Sequence, residues 1–239
     1  MRLSCRACAI RSRALCNALP ETALHQINRL SRRRRVAAGR ALFSEDEAAS
    51  FVATILSGVV KVSVSIPDGR TQVVGLHFPA DFIGRPFAGP IPPLTEAATD
   101  VELCCFERSR FEALLCEHKS LEELFVQRMT QELDAAREWM LLLGHKSAEE
   151  RLASLLLLCM RRLGCGDCPA VAIDRIEPMR FSLPLSRTEI AQYLGLTIET
   201  VSRMLKRLAI EGVIGVESGR AVVVYSRAEL ARRAEANRA

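Results

Sequence analysis

Near the start of the sequence stand three thiols, Cys5, Cys8 and Cys16, at the spacing C-x2-C-x7-C. A thiolate is both a nucleophile and a soft metal ligand, so a CxxC admits a zinc site, a redox pair or chance. A CxxC alone is a weak signal. Three thiols within twelve residues, ahead of any hydrophobic periodicity, point more firmly to ligation. Tetrahedral sulfur coordination asks for a fourth donor. The candidates are Cys104, Cys105, Cys116 and the pair Cys165 and Cys168. Cys165-x2-Cys168 is half a site in a loop and reads as incidental. Cys159 falls in an apolar run and reads as a small buried hydrophobe. The rival class is an enzyme, a disulfide oxidoreductase using Cys5 and Cys8. The chain lacks the strand-then-helix setting of such motifs, and an enzyme is not expected.

A second constellation lies at 187–208, RTEIAQYLGLTIETVSRMLKRL. Ile190, Ala191 and Leu194 make the inner face of a first helix, and Gly195 supplies a turn that costs other residues a steric clash. Thr197 is placed to cap a second helix whose Val201, Leu205 and Leu208 face inward. Glu199, Ser202 and Arg203 then point outward near its start, where a recognition helix meets base edges in the major groove of double-stranded DNA. Arg donates a bidentate pair to guanine, Glu accepts from the cytosine amino group, and Ser does either. Lys206 and Arg207 suit phosphates, with Thr197 as a cap or phosphate contact. A helical hairpin that binds protein is the bland alternative; the turn, the cap and the basic outer face favour DNA.

These groups must be positioned by the rest of the chain. The stretch 121–143, LEELFVQRMTQELDAAREWMLLL, carries apolar residues at Leu121, Phe125, Met129, Leu133, Ala136, Met140 and Leu143, in steps of three and four. That spacing is one stripe along a helix roughly 35 Å long. With charges between its members the stripe resembles a coiled-coil seam, so Met129, Leu133, Ala136 and Met140 are expected to pair two copies of the chain. The bland alternative is a core helix. From Val36 to about Phe106 short strands alternate with Gly and Asp turns, which suggests an antiparallel barrel or jelly roll. A short helix is expected from Pro20 to Leu30 and another at 108–117. The run Arg32–Arg35 reads as a solvated strand edge rather than a nucleic-acid site. Ser147 and Glu150 fit a capping box at the start of a further helix. A strand, FSLPL, precedes the two reader helices, and a hairpin, VIGVES and AVVVY, is expected to end the fold. The fold class is therefore α+β. The expected domains are 1–18, a cysteine-rich segment; 19–118, a β-barrel sensor; 119–144, a dimerisation helix; and 145–239, a winged helix-turn-helix.

The 239 residues are enough for two domains, and 49% hydrophobic with 26% charged is a globular composition. The charge is uneven. Residues 1–144 carry 18 Lys/Arg against 17 Asp/Glu, and residues 145–239 carry 15 against 11, which suits a polyanion in the smaller half. The N-terminus has no apolar run fit for a signal core, and the longest apolar run, Leu155 to Met160, is too short for a membrane. A soluble, cytoplasmic chain with no membrane partner is expected. Nine cysteines in a reducing compartment are then thiols or ligands, not a disulfide framework.

Cys5-x2-Cys8-x7-Cys16, DVELCCF with Cys104 and Cys105, LDAAREWMLLLG at 133–144 and LGLTIETVSR at 194–203 together resemble the CRP/FNR superfamily of bacterial regulators over nearly the whole chain. The resemblance is to the FNR group, and most closely to the FnrL and FnrN type of alphaproteobacteria. It implies a cyclic-nucleotide-binding-like β domain and an oxygen sensor holding a [4Fe–4S] cluster on three N-terminal cysteines and one later cysteine. The family usually places that later ligand three residues before a proline. Here Glu107 stands at that place, which points to Cys104, with Cys105 as substitute. It further implies a homodimer reading a TTGAT-N4-ATCAA palindrome through Glu199, Ser202 and Arg203, and recruitment or blocking of RNA polymerase. The superfamily's cAMP binders carry a Gly-Glu turn and an Arg-Ser pair for the phosphate. In this chain Gly84 precedes Arg85, and Glu96 precedes two alanines, so no cyclic nucleotide is expected. A haem or nitric-oxide sensor of the same superfamily would not need four thiols.

Overall fold

The structure is a computed structural model and describes residues 5–43, 50–87, 94–163, 178–217 and 219–235. It separates into two compact units, one of residues 1–64 and 74–135, the other of residues 65–73 and 136–239. Among the described residues no helix is long and apolar enough to cross a membrane.

In the first unit, short 3-10 turns at Cys5–Ala7 and Leu15–Ala18 lead to α1, Glu21–Leu30, with Pro20 as its N-cap. Pro suits a helix start because its missing N–H would have no partner there. The strands follow as β1 (Arg32–Val36), β2 (Phe51–Ser57), β3 (Val60–Ser65), β4 (Thr71–His77), β5 (Phe82–Ile83), β6 (Leu94–Ala97) and β7 (Val101–Glu107). They make a four-stranded sheet in the order β1-β7-β2-β5 and a three-stranded sheet in the order β4-β3-β6. The antiparallel β architecture expected from the sequence is present. Gly58 turns β2 into β3 at φ 84°, where a Cβ would fall on the Asp100 carbonyl.

Strand alternation sorts the four-stranded sheet into two faces. Ala53, Ile55, Leu103 and Cys105 join Val36, Leu42 and Val60 in one core. Val52 and Phe106 face the other way, into a core shared with Leu15 and Leu19 of the N-terminal segment, with Leu24 and Ile27 of α1, and with later helices. Those later helices are α2, Arg108–Glu117, and α3, Lys119–His145. Phe111 of α2 stacks on Phe82 at 4.8 Å, and Phe125 of α3 meets Phe82 edge-on at 5.6 Å.

In the second unit, α4 (Ala148–Leu163) begins at the expected capping box: the Ser147 N–H donates to Glu150 at 2.7 Å, and the Glu150 N–H to the Ser147 hydroxyl at 3.4 Å. After it come β8 (Met179–Ser182), α5 (Arg187–Leu194), α6 (Ile198–Ile210), β9 (Ile214–Val216), β10 (Ala221–Val224) and α7 (Arg227–Ala234). The three strands pair antiparallel in the order β8-β10-β9. The hairpin was expected to end the fold, but a further helix follows it. Ser226 accepts from the Glu229 N–H at 3.2 Å and starts α7, which buries Leu230 and Ala234. The missed signal was this Ser-x-x-Glu, the same pattern recognised at Ser147.

Candidate thiol site and nucleic-acid interface

The N-terminal thiols sit over the outer face of the four-stranded sheet. Cys5, Cys16 and Cys104 all pack against the core that holds Leu15, Leu24 and Phe106. Cys104 is half-buried, whereas Cys105, one residue on, is buried in the barrel core on the opposite face. Pairing fixes this phase: Cys104 lies opposite Arg33 of β1 and Thr54 of β2, and Cys105 opposite Arg32 and Ala53. Cys116 is exposed on α2, Cys159 is buried as expected, and Cys165 and Cys168 lie outside the described residues.

The four thiols feel one another. Burial pushes Cys104 up to about 12, with Cys5 and Cys16 adding to the rise and the Ser31 hydroxyl opposing it. Burial pushes Cys16 up to about 11, helped by Cys8 and Cys5. Cys5 is raised by burial and by Cys8, against Arg33 and Arg11. Among the described residues no three Cys, His, Asp or Glu are gathered as one metal ion requires. Cys5, Cys8, Cys16 and Cys104 are an all-thiol set, partly desolvated and beside Arg33 and Arg11, the donor chemistry that an iron–sulfur cluster would take.

The segment that carries these thiols is tied to α3. Ser120 donates to the Ala18 carbonyl at 2.9 Å and Arg128 to the Arg13 carbonyl at 2.9 Å. Further along α3, Val126, Leu133 and Met140 recur every seven residues and are 57%, 50% and 63% exposed. Met129 is half-buried and Ala136 exposed on the same stripe, while Leu121 and Phe125, at the head of the expected stripe, pack within the chain.

The helix pair α5–α6 has the geometry expected of a reader. Ser186 and Glu189 form a reciprocal capping box on α5, which ends at Gly195 in the left-handed conformation, φ 62° and ψ 42°. Arg151 donates to the last carbonyl of α5, that of Leu194, at 3.0 Å. Thr197 caps α6 by accepting from the Thr200 N–H at 3.2 Å. Val201, Leu205 and Leu208 are buried, and Glu199, Ser202, Arg203 and Lys206 are not. The Glu199 carboxyl is held below its ordinary value by its own backbone N–H and the Thr197 hydroxyl, which keeps it an acceptor. Among the described residues Arg203 reaches the Thr200 hydroxyl, at 3.4 Å.

Arg207 is different from expectation. Its guanidinium binds Glu211 at 2.9 Å and Glu149 at 3.2 Å. Arg233 of α7 meets the same two carboxylates at 2.7 and 2.9 Å. Arg207 therefore braces α6 against α4 and α7 and is already committed to carboxylates where a phosphate contact was expected. Sequence reasoning missed Arg187. This residue lines a cavity of about 280 Å3 with Ser202, Leu205, Lys206, Ala209 and Val216. Among the described residues its buried Nη1 has no hydrogen-bond partner. No periodicity marks it, because its place in the cavity depends on how α5 packs against α6.

Residues 150–233 match the Crp-like helix-turn-helix domain family and residues 33–118 the cyclic nucleotide-binding domain family. The chain is 42% identical over 230 residues to a probable transcriptional activator of Rhizobium leguminosarum bv. viciae, covering 96% of this chain and 92% of that one. It is 39% identical to the transcriptional activator protein FnrL of Cereibacter sphaeroides, over 95% of this chain and 90% of the relative. Among solved structures it is similar to FixK2 from Bradyrhizobium japonicum, with a TM-score of 0.73 and 32% identity over 84% of this chain and 96% of that one. With its β domain, long helix and helix-turn-helix in the same order, the chain belongs to the CRP/FNR family of transcriptional regulators, of the alphaproteobacterial FnrL and FixK type.

Proposed function

We propose that this chain is an oxygen-responsive transcriptional activator. As a homodimer it binds a TTGAT-N4-ATCAA-like palindrome when Cys5, Cys8, Cys16 and Cys104 hold a [4Fe–4S] cluster. The observation that carries the reading is the phase of β7, which turns Cys104 toward the N-terminal thiols and Cys105 away from them. When bound, the cluster supplies an oxygen-labile crosslink.

The rest is the work of the chain itself. The thiolates draw residues 5–16 onto the sheet, and Ser120 and Arg128 link that segment to α3. The exposed positions Leu133 and Met140, with Met129 and Ala136, form the stripe that a second copy covers. Heptad spacing makes the stripe complementary to itself across a two-fold axis. Each subunit then presents α6 to one half-site, the two lying about one helical turn, roughly 34 Å, apart. Glu199, Ser202 and Arg203 read base edges, and Lys206 and Arg187 hold phosphates. RNA polymerase is the downstream partner. The loop at Gly84–Arg85 gives a cyclic phosphate no Arg-Ser partner, so the β domain serves as a scaffold for the thiols and takes no nucleotide.

The test is anaerobic purification of wild type, Cys104→Ser and Cys105→Ser, with iron and sulfide assayed per chain and operator affinity measured with and without air. Cys104→Ser should lose iron, sulfide and tight binding together, and Cys105→Ser should keep all three. Iron retained by Cys104→Ser and lost by Cys105→Ser would reject the ligand set. An iron-free wild type that binds its operator equally well would reject the sensor.

A further inference from the structure

The sheet register places one more charged residue beside the thiols. In the antiparallel β1–β7 pair, Arg33 lies directly opposite Cys104. Directly opposed residues send their side chains to the same face, here the outer face over which Cys5 and Cys16 also pack. The Arg33 guanidinium is steadied by Glu102 at 3.1 Å, with its side chain 34% exposed. Arg35 stands one step further along that face, opposite Glu102, and reaches the same carboxylate at 3.7 Å with its side chain 87% exposed. The better buried of the two guanidiniums is the one beside Cys104. Just ahead of Arg33 in the chain, Ser31 stands beside Cys104 and its hydroxyl donates to the Asn28 carbonyl at 3.4 Å. Asn28, at the end of α1, places its Oδ1 3.5 Å from the Cys5 Sγ.

We infer that the α1–β1 junction forms an outer shell for the sulfur site, in which Arg33 offsets the negative charge of the ligating thiolates and Ser31 hydrogen-bonds Cys104. The inference rests on reading Cys5, Cys8, Cys16 and Cys104 as ligands. Four deprotonated thiols on a partly desolvated face repel one another, and a fixed guanidinium within reach lowers the cost of keeping all four charged. Glu102 matters because it holds the guanidinium in place: an arginine free to swing into water would be screened by it. Outer-shell partners of metal ligands typically change metal affinity 10- to 100-fold.

The experiment reconstitutes wild type, Arg33→Gln, Arg33→Lys, Ser31→Ala and Arg35→Gln under argon. It reads iron and sulfide per chain, and the rate at which a ferrous chelator strips the iron. Circular dichroism and Tm of the iron-free chains control for folding. Arg33→Gln should lose iron about 10- to 100-fold faster than wild type. Arg33→Lys should recover most of the retention, Ser31→Ala should show a smaller acceleration, and Arg35→Gln should match wild type. If Arg33→Gln does not fold, Ser31→Ala carries the test, with Arg35→Gln as the reference that should match wild type. Stripping rates for Arg33→Gln and Ser31→Ala equal to wild type would overturn the inference and leave the ligands standing. Equal acceleration in Arg33→Gln and Arg35→Gln would also overturn it, since net charge alone would then be at work. A wild-type chain that takes up neither iron nor sulfide would overturn the ligand reading, and the outer shell with it.

Discussion

Leu133→Ala is the substitution that separates a paired helix from a lone one. Leu133 is 50% exposed on α3, midway between Val126 and Met140 on the seven-residue stripe. Full burial of a leucine side chain stabilises by about 1.5–3 kcal/mol, so covering the exposed half is worth about 1 kcal/mol per chain. A two-fold interface contains the residue twice, which gives about 2 kcal/mol for the pair and a rise of about 30-fold in the dimer Kd. Sedimentation equilibrium over a concentration series, on iron-loaded protein under argon, reads that shift directly. If α3 faced only water, the substitution would act through helix propensity alone, where alanine is the better residue. A variant with unchanged mass distribution and an equal or higher Tm would therefore refute the seam. Leu133→Glu adds a like charge at the same place and should dissociate the dimer outright, with α-helical content retained.

The reader and its supports yield further predictions. Arg203→Ala should cost about 1–3 kcal/mol of discrimination at one base pair of each half-site, measured as the affinity ratio between the palindrome and a singly substituted one. A uniform loss on all sequences would make Arg203 a phosphate contact instead. Arg187→Ala should weaken specific and non-specific DNA alike and lower the slope of log affinity against log salt by about 0.9 for each contacted phosphate in the dimer; an unchanged slope would leave its unpartnered Nη1 unexplained by DNA. Thr197→Ala removes the α6 cap and should cost about 1 kcal/mol in thermal or urea unfolding. The Glu211 carboxyl is held below its ordinary value of 4.5 by Arg207 and Arg233, so its contribution to stability is fully present above pH 4.5 and is lost as pH falls through the lower folded value. Glu211→Gln should lower Tm at pH 7 and flatten the acid limb of a Tm-against-pH curve, the two proteins converging at low pH, and an unaltered acid limb would discount the network.

Much of this molecule is legible one residue at a time, because local rules decide it. The α3 helix follows from apolar steps of three and four, the turn at Gly195 from a conformation that disfavours a Cβ, and the α4 start from Ser147 and Glu150. The outward-facing set Glu199, Ser202 and Arg203 follows from the buried set Val201, Leu205 and Leu208, since a helix that buries one face must expose the other. The three N-terminal thiols are visible as spacing alone. The choice between Cys104 and Cys105 is of another kind. Both lie on one strand, and adjacent strand residues take opposite faces whatever their identity. Only the pairing of β7 with β1 and β2, and the packing of residues 15–27 over one side, sets which thiol meets Cys5 and Cys16. The same holds for Arg207, whose carboxylate partners Glu149 and Glu211 come partly from a helix 58 residues back in the chain. It holds as well for Arg33, which sequence presents as one of four like charges and the sheet sets opposite Cys104. Periodicity tells which residues share a face; what that face meets depends on contacts between segments far apart in the chain, and those exist only once it has folded.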